Sequence, residues 1–156
     1  MRMANNTIKR ESLEEEVDHI IEESRMVLPG IQALFGFQLI AVFNQRFSEL
    51  LPRPGQVLHL AALVLVAVAI GLIMAPAAYH REAERGTISR YLADYASRLL
   101  MIAMVPLLVS ISIEVALIAY AILSLLWVSA LCGVTLGLFF SSLWFMFPAL
   151  HRRANR

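Results

Sequence analysis

The chain is short of charge, and the shortage is uneven. Charged residues make up 16% of its 156 positions, against about 25% in an ordinary soluble domain. The deficit falls after residue 26, and from Leu99 to His151 only Glu114 carries a formal charge. There is one cysteine, Cys132, which excludes an intrachain disulfide and a zinc site built from several cysteines. Basic and acidic residues nearly balance, 13 against 12. With no basic patch interleaved with aromatics, the sequence argues against a nucleic-acid partner. No metal-ligand spacing, glycine-rich phosphate loop, nucleophile elbow or paired-carboxylate motif occurs. The expectation is therefore no enzyme, no cofactor and no metal. The first apolar segment begins near residue 26 behind an acidic stretch, so no cleavable signal peptide is expected.

What is abundant is apolar sequence, at 59% of residues. The expected fold class is an all-α membrane protein. It is a four-transmembrane-helix bundle with a short cytoplasmic amphipathic N-terminal helix. The predicted layout is a cytoplasmic segment over 1–27, a membrane domain over 28–148 and a basic cytoplasmic tail over 149–156. The four spans are expected at about 28–47, 57–79, 97–119 and 125–147.

In the N-terminal segment, Ser12 with Glu15 fits a capping box. Leu13, Val17, Ile20, Ile21 and Ser24 form one apolar face, opposite Glu14, Glu15, Asp18, Glu22 and Glu23. An acidic amphipathic helix is a poor binder of anionic lipid. It is expected to pack on a protein partner or its own bundle, or else to be a solvated extension of the first span. Pro29-Gly30 predicts a kink or break where it meets the membrane.

The first span carries amides. Arg25 and Arg46 bracket a stretch of about 31 Å at helical rise, which is about one hydrocarbon thickness. Gln38 and Gln45 fall on one face of an ideal helix, with Gln32 elsewhere. A buried amide in lipid needs a partner, so these residues read either as ties between helices or as a polar cavity lining. In the second span Ala67, Gly71 and Ala75 recur every four residues as a packing ridge. In the fourth, Ser129, Gly133, Gly137 and Ser141 do the same around a literal GxxxG. Their partner helix, in this subunit or another, is open at this point. Trp127 and Trp144 lie about 26 Å apart at helical rise, which suits two interfacial belts.

Arginine and lysine cluster in the N-terminal tail, the middle loop and the C-terminus. That distribution puts both termini in the cytoplasm. Glu114 is the one acid at membrane depth, about 24 Å beyond Arg98 along its helix, and is a candidate proton or cation site. Gln38, Gln45 and Ser110 join it as candidates, with Ser112 a further oxygen within a turn. The plainer alternative is a protonated carboxyl, or one paired with Arg46 or His59.

The run RMVLPGIQALFGFQL, then FNQRF, then MAPAAYHR, with an arginine-led third span and a final W-x-x-x-P before a basic tail, resembles a bacterial family. Its members are small uncharacterised multi-pass membrane proteins, sometimes labelled sodium:proton antiporters. The resemblance covers about residues 20–153 and implies a fold of a few spans in a bacterial inner membrane. It carries over no catalytic residues. The functional expectation is a small oligomeric inner-membrane protein that translocates a monovalent cation or a proton. The alternative is a non-transporting structural or accessory protein. The expected partners are the lipid bilayer, further copies of the chain and a protein for the acidic N-terminal helix.

Overall fold

The computed structural model describes residues 13–83 and 89–154, and in these the chain is helical apart from short turns. The helices are α1 (Leu13–Val42), the single-turn α2 (Phe47–Leu50), α3 (Arg53–Ala83), α4 (Arg90–Leu123), α5 (Leu126–Ser141) and α6 (Phe147–Ala154). A π-helical turn, Ser142–Met146, joins α5 to α6. Four helical stretches are long and apolar enough to cross a membrane: Glu15–Val42, Arg53–Ala83, Arg90–Leu123 and Leu126–His151.

The helices pack along narrow seams with a seven-residue repeat. On α1, Val17, Ile31 and Gln38 are buried and Ser24 is half-buried. On α4 the buried series is Ala96, Ala103, Ser110 and Leu117. On α3 it is Gly55, His59, Ala62, Val66, Ala69 and Ile73, with steps alternating between four and three. A repeat of seven keeps one edge of a helix against an antiparallel or parallel neighbour. Half of these residues are glycine, alanine or serine. Lipid is as apolar as leucine, so burying large apolar side chains gives little drive between helices in a bilayer. Close approach through small residues is what brings them together. The large residues point outward instead: Phe37, Ile40, Leu60, Ile118, Leu131 and Leu138 are all exposed, a surface compatible with lipid contact.

Helices α3 and α4 form the closest pair, α1 lies against both, and α5 packs chiefly on α4. The apolar centre is Ile31, Val66, Ala69, Ile73 and Ala103, with Leu34, Phe35, Ile70 and Leu107 against it. Helix α5 meets α4 through its glycines. A Cβ placed on Gly133 would sit 2.7 Å from the Ser112 carbonyl oxygen and 2.9 Å from the Ala116 Cβ. One on Gly137 would sit 3.1 Å from Ser112 Oγ. Ser129 is buried and Ser141 half-buried on the same face. The GxxxG partner is therefore α4 of the same chain.

Several expectations are corrected. Pro29 and Gly30 do not interrupt α1, which is helical from Leu13 to Val42. The acidic stretch is thus a helical extension of the first span, one of the two arrangements expected for it, and proline is tolerated in such helices where neighbours support the backbone. Val17 is buried, and Glu16 meets Arg90 at 3.9 Å in an exposed pair. The capping box on Ser12 lies outside the described residues. The first span stops at Val42 rather than near residue 47. The chain then turns through Asn44, whose side-chain oxygen accepts from the Arg46 N–H at 3.0 Å, a local asparagine turn that competes with the helix.

The ridge Ala67, Gly71, Ala75 is not part of the seam. Ala67 and Gly71 are exposed, and a Cβ on Gly71 would meet nothing within 4 Å. The turn between the third and fourth spans is made by Ser124, in the left-handed region at φ 53° with its N–H on the Tyr120 carbonyl. The last helix runs on through Pro148 to Ala154.

The two glycine ridges predict opposite behaviour. Gly133→Ala should cost about 1–3 kcal/mol, because its Cβ overlaps a backbone oxygen that cannot give way. Gly71→Ala should be neutral or stabilising by up to about 1 kcal/mol, because it gains helix propensity in open space. Thermal unfolding in detergent, followed by circular dichroism, checks both.

Candidate functional site

The seams bring four polar side chains to one end of the bundle. Gln38 lies one turn before the end of α1, His59 less than two turns into α3, and Ser110 and Glu114 one turn apart in the last part of α4. Because α3 runs against α1 and α4, the early part of one helix meets the late parts of the other two. His59 is buried between the helices, 3% exposed, on the same face as Ala62 and Val66.

His59 is held on both nitrogens. Nε2 lies 3.0 Å from the backbone carbonyl of Gln38. Nδ1 faces Glu114, 3.2 Å from Oε2 in hydrogen-bonding alignment and 3.0 Å from Oε1. The edge of Phe47, from α2, closes over the ring at a centroid distance of 5.1 Å. Further in, the Gln38 amide donates to Ser110 Oγ at 3.3 Å, and Ser110 donates in turn to the Ala62 carbonyl at 2.9 Å. Gln38 thus ties α1 to α3 through its main chain and to α4 through its side chain. Its side-chain oxygen is buried and accepts from no group among the described residues.

The partners of the two ring nitrogens favour one arrangement of protons. A carbonyl can only accept, so Nε2 carries a hydrogen and donates it to Gln38. Nδ1 then either bears a second hydrogen, making an imidazolium beside a carboxylate, or presents a lone pair to a protonated Glu114. Either way one proton lies between Nδ1 and the carboxyl, and the pair has no net charge. That is the arrangement a low-dielectric site favours, since an isolated charge there is costly to desolvate.

Beside the pair is a cavity of about 250 Å³. Gln38, His59 and Glu114 form its polar part, and Leu34, Phe37, Ala41, Phe47, Leu50, Leu117, Ile118 and Ala121 are among its apolar walls.

Of the four candidates picked out from the sequence, Gln38, Ser110 and Glu114 come together here. Gln45 does not: it is exposed in the turn after α1. Ser112 bonds the Leu108 carbonyl four residues back and faces α5. His59 was weighed only as one conceivable partner of Glu114. The signal that marks it is its place in the four-three repeat with Gly55 and Ala62.

Residues 6–148 match the family of unknown function DUF6328. The chain belongs to this family. No curated protein and no solved structure matches the chain. The DUF6328 description supplies no activity, so a functional reading of this member must come from the His59–Glu114 site.

The site should tolerate an amide in place of the acid. In Glu114→Gln the new side chain can donate to Nδ1 as the protonated carboxyl would, and unfolding free energy should stay within about 1 kcal/mol of wild type. Glu114→Ala leaves Nδ1 facing no partner and should cost about 1–3 kcal/mol. Denaturation in mixed micelles checks the order.

Proposed function

We propose that the protein binds and releases a proton at His59–Glu114 and serves proton, or proton-coupled monovalent-cation, movement. We place it in a bacterial inner membrane with both termini cytoplasmic, assembled with further copies of itself and catalysing no bond-making chemistry. What carries this reading is the placing of His59 Nδ1 3.2 Å from the Glu114 carboxyl with Nε2 3.0 Å from the Gln38 carbonyl, an arrangement that suits one shared proton. An ionisable residue at membrane depth, facing the bundle interior and paired, is what a proton-handling site requires. Loss of that proton would set a carboxylate against a nitrogen lone pair, so release is coupled to separation of the two groups. That coupling links protonation to the packing of α3 against α4. The oxygens suit a proton better than a bare sodium ion, because Ser110 Oγ already accepts from the Gln38 amide and the imidazole occupies the near side of the carboxyl.

A second reading has its own support. Beyond Ser110 the bundle is closed by Val66, Ala69, Ile73, Ile31 and Ala103, and none of these can pass a proton. Transport across the membrane would need a path between copies of the chain or a rearrangement of α3 and α4. If neither occurs, the protein is a non-transporting accessory component. In that case its acidic α1 start is a candidate surface for a basic partner.

Proteoliposomes holding a pH-sensitive dye separate the two. Transport predicts wild-type flux down a proton or sodium gradient, with Glu114→Gln and His59→Phe falling to the rate of empty vesicles. Wild-type flux no faster than empty vesicles rejects transport and leaves the accessory reading.

A further inference from the structure

The cavity beside the pair is larger than a proton needs. Its volume of about 250 Å³ is that of roughly eight waters at their liquid share of about 30 Å³ each, yet most of its wall is apolar. Phe37, Leu50 and Ile118, which line it, are also exposed on the outer surface of the helices. The opening therefore lies on the apolar, lipid-compatible side of the bundle. An amphiphile can enter there more readily than a cluster of waters.

The polar end lacks donors. The buried Gln38 Oε1 has no donor among the described residues. Glu114 Oε1, although 3.0 Å from Nδ1, is not in hydrogen-bonding alignment with it. The residues lining the cavity include no lysine or arginine, and His59 and Glu114 are their only titratable members. Helices α1 and α2 contribute none. Both oxygens are covered by neighbouring atoms, so a guest meets them as the Gln38 and Glu114 side chains turn toward the cavity. An unpartnered amide oxygen, a carboxyl and no competing cation specify a guest rich in N–H donors with a positive charge and a short apolar body.

Building on the proton-binding reading above, we infer that this pocket takes a small alkylammonium ion in exchange for the proton shared by His59 and Glu114. The balance is direct. The free pair holds one proton and has no net charge. The ammonium enters with its charge and its three donors, and the shared proton leaves. What remains is a Glu114 carboxylate, a neutral His59 and the bound ammonium, again with no net charge. Binding without release would strand one positive charge in the apolar end of the bundle, where it is costly to desolvate. In the exchanged state Glu114 and Gln38 Oε1 accept from the ammonium, and Nδ1 offers its freed lone pair to a third N–H.

The test is calorimetric titration of the full chain in detergent with n-hexylamine, run in two buffers of different ionisation enthalpy to count protons. The uncharged n-hexanol serves as the comparison. Expected are saturable binding, about one proton released per amine, and hexanol weaker by about tenfold or more. Glu114→Gln should lose the saturable binding. So should Ala41→Phe, which fills the pocket without touching either hydrogen-bonding group. Equal heats in wild type and both variants would mean partition into the micelle and would overturn the inference. So would binding without proton release, or hexanol binding as tightly as the amine. Failure here is separable from failure of the proton-binding reading, because wild-type proton flux is measured with no amine present.

Discussion

An imidazole ring clamped between a carboxyl group and a main-chain carbonyl is the constraint on which this bundle turns. His59 can satisfy both nitrogens only if α1 presents the Gln38 carbonyl on one side and α4 presents Glu114 on the other. In hydrocarbon there is no water to take over either bond, so an alternative register of these helices would leave several polar groups unpaired at once. The Gln38 amide and the Ser110 hydroxyl extend the same logic inward, each bonding across to another helix. Contacts of this kind add modestly one by one in a membrane, but they discriminate sharply between one packing and its neighbours.

The rest of the architecture follows from the lack of hydrophobic drive between spans. Helices α3 and α4 approach through alanines, serine and a valine, and α5 approaches α4 through Gly133 and Gly137. Many of the bulky leucines, isoleucines and phenylalanines face outward, with Ile31, Ile73 and Leu117 among the buried exceptions. A soluble bundle of this length would invert that arrangement. The consequence for function is a rigid seam along most of its length, with its polar groups gathered at one end beside a cavity. The atoms that pair His59 with Glu114 are also the ones that hold α3 against α4.

Much of this is legible in the residues alone. Glu114 stood out as the lone acid in a long apolar stretch, Gln38 as an amide that lipid could not satisfy, and Ser110 as an oxygen one turn away. Gln45 misled for a physical reason. It continues the seven-residue series Val17, Ser24, Ile31, Gln38, but Asn44 captures the Arg46 N–H and ends the helix first. Ala67, Gly71 and Ala75 have the spacing of a packing ridge, yet Ala67 and Gly71 face outward and Ala75 is only half-buried, since spacing alone does not say which of two small-residue edges meets a neighbour. Two such edges on α3 lie next to each other, and the one containing His59 is buried.

The sequence by itself determined that the chain has four spans, that they are apolar and nearly uncharged, and that a few polar groups inside them had to find partners. Those facts follow from composition and helical rise, which are local. Only the tertiary structure decided which partners they find. His59 and Glu114 are 55 residues apart, and their meeting depends on α3 and α4 running antiparallel with their small-residue seams in one register. The same register leaves the cavity at their side. Its existence was invisible from any single helix, because its walls come from α1, α2, α3 and α4 together.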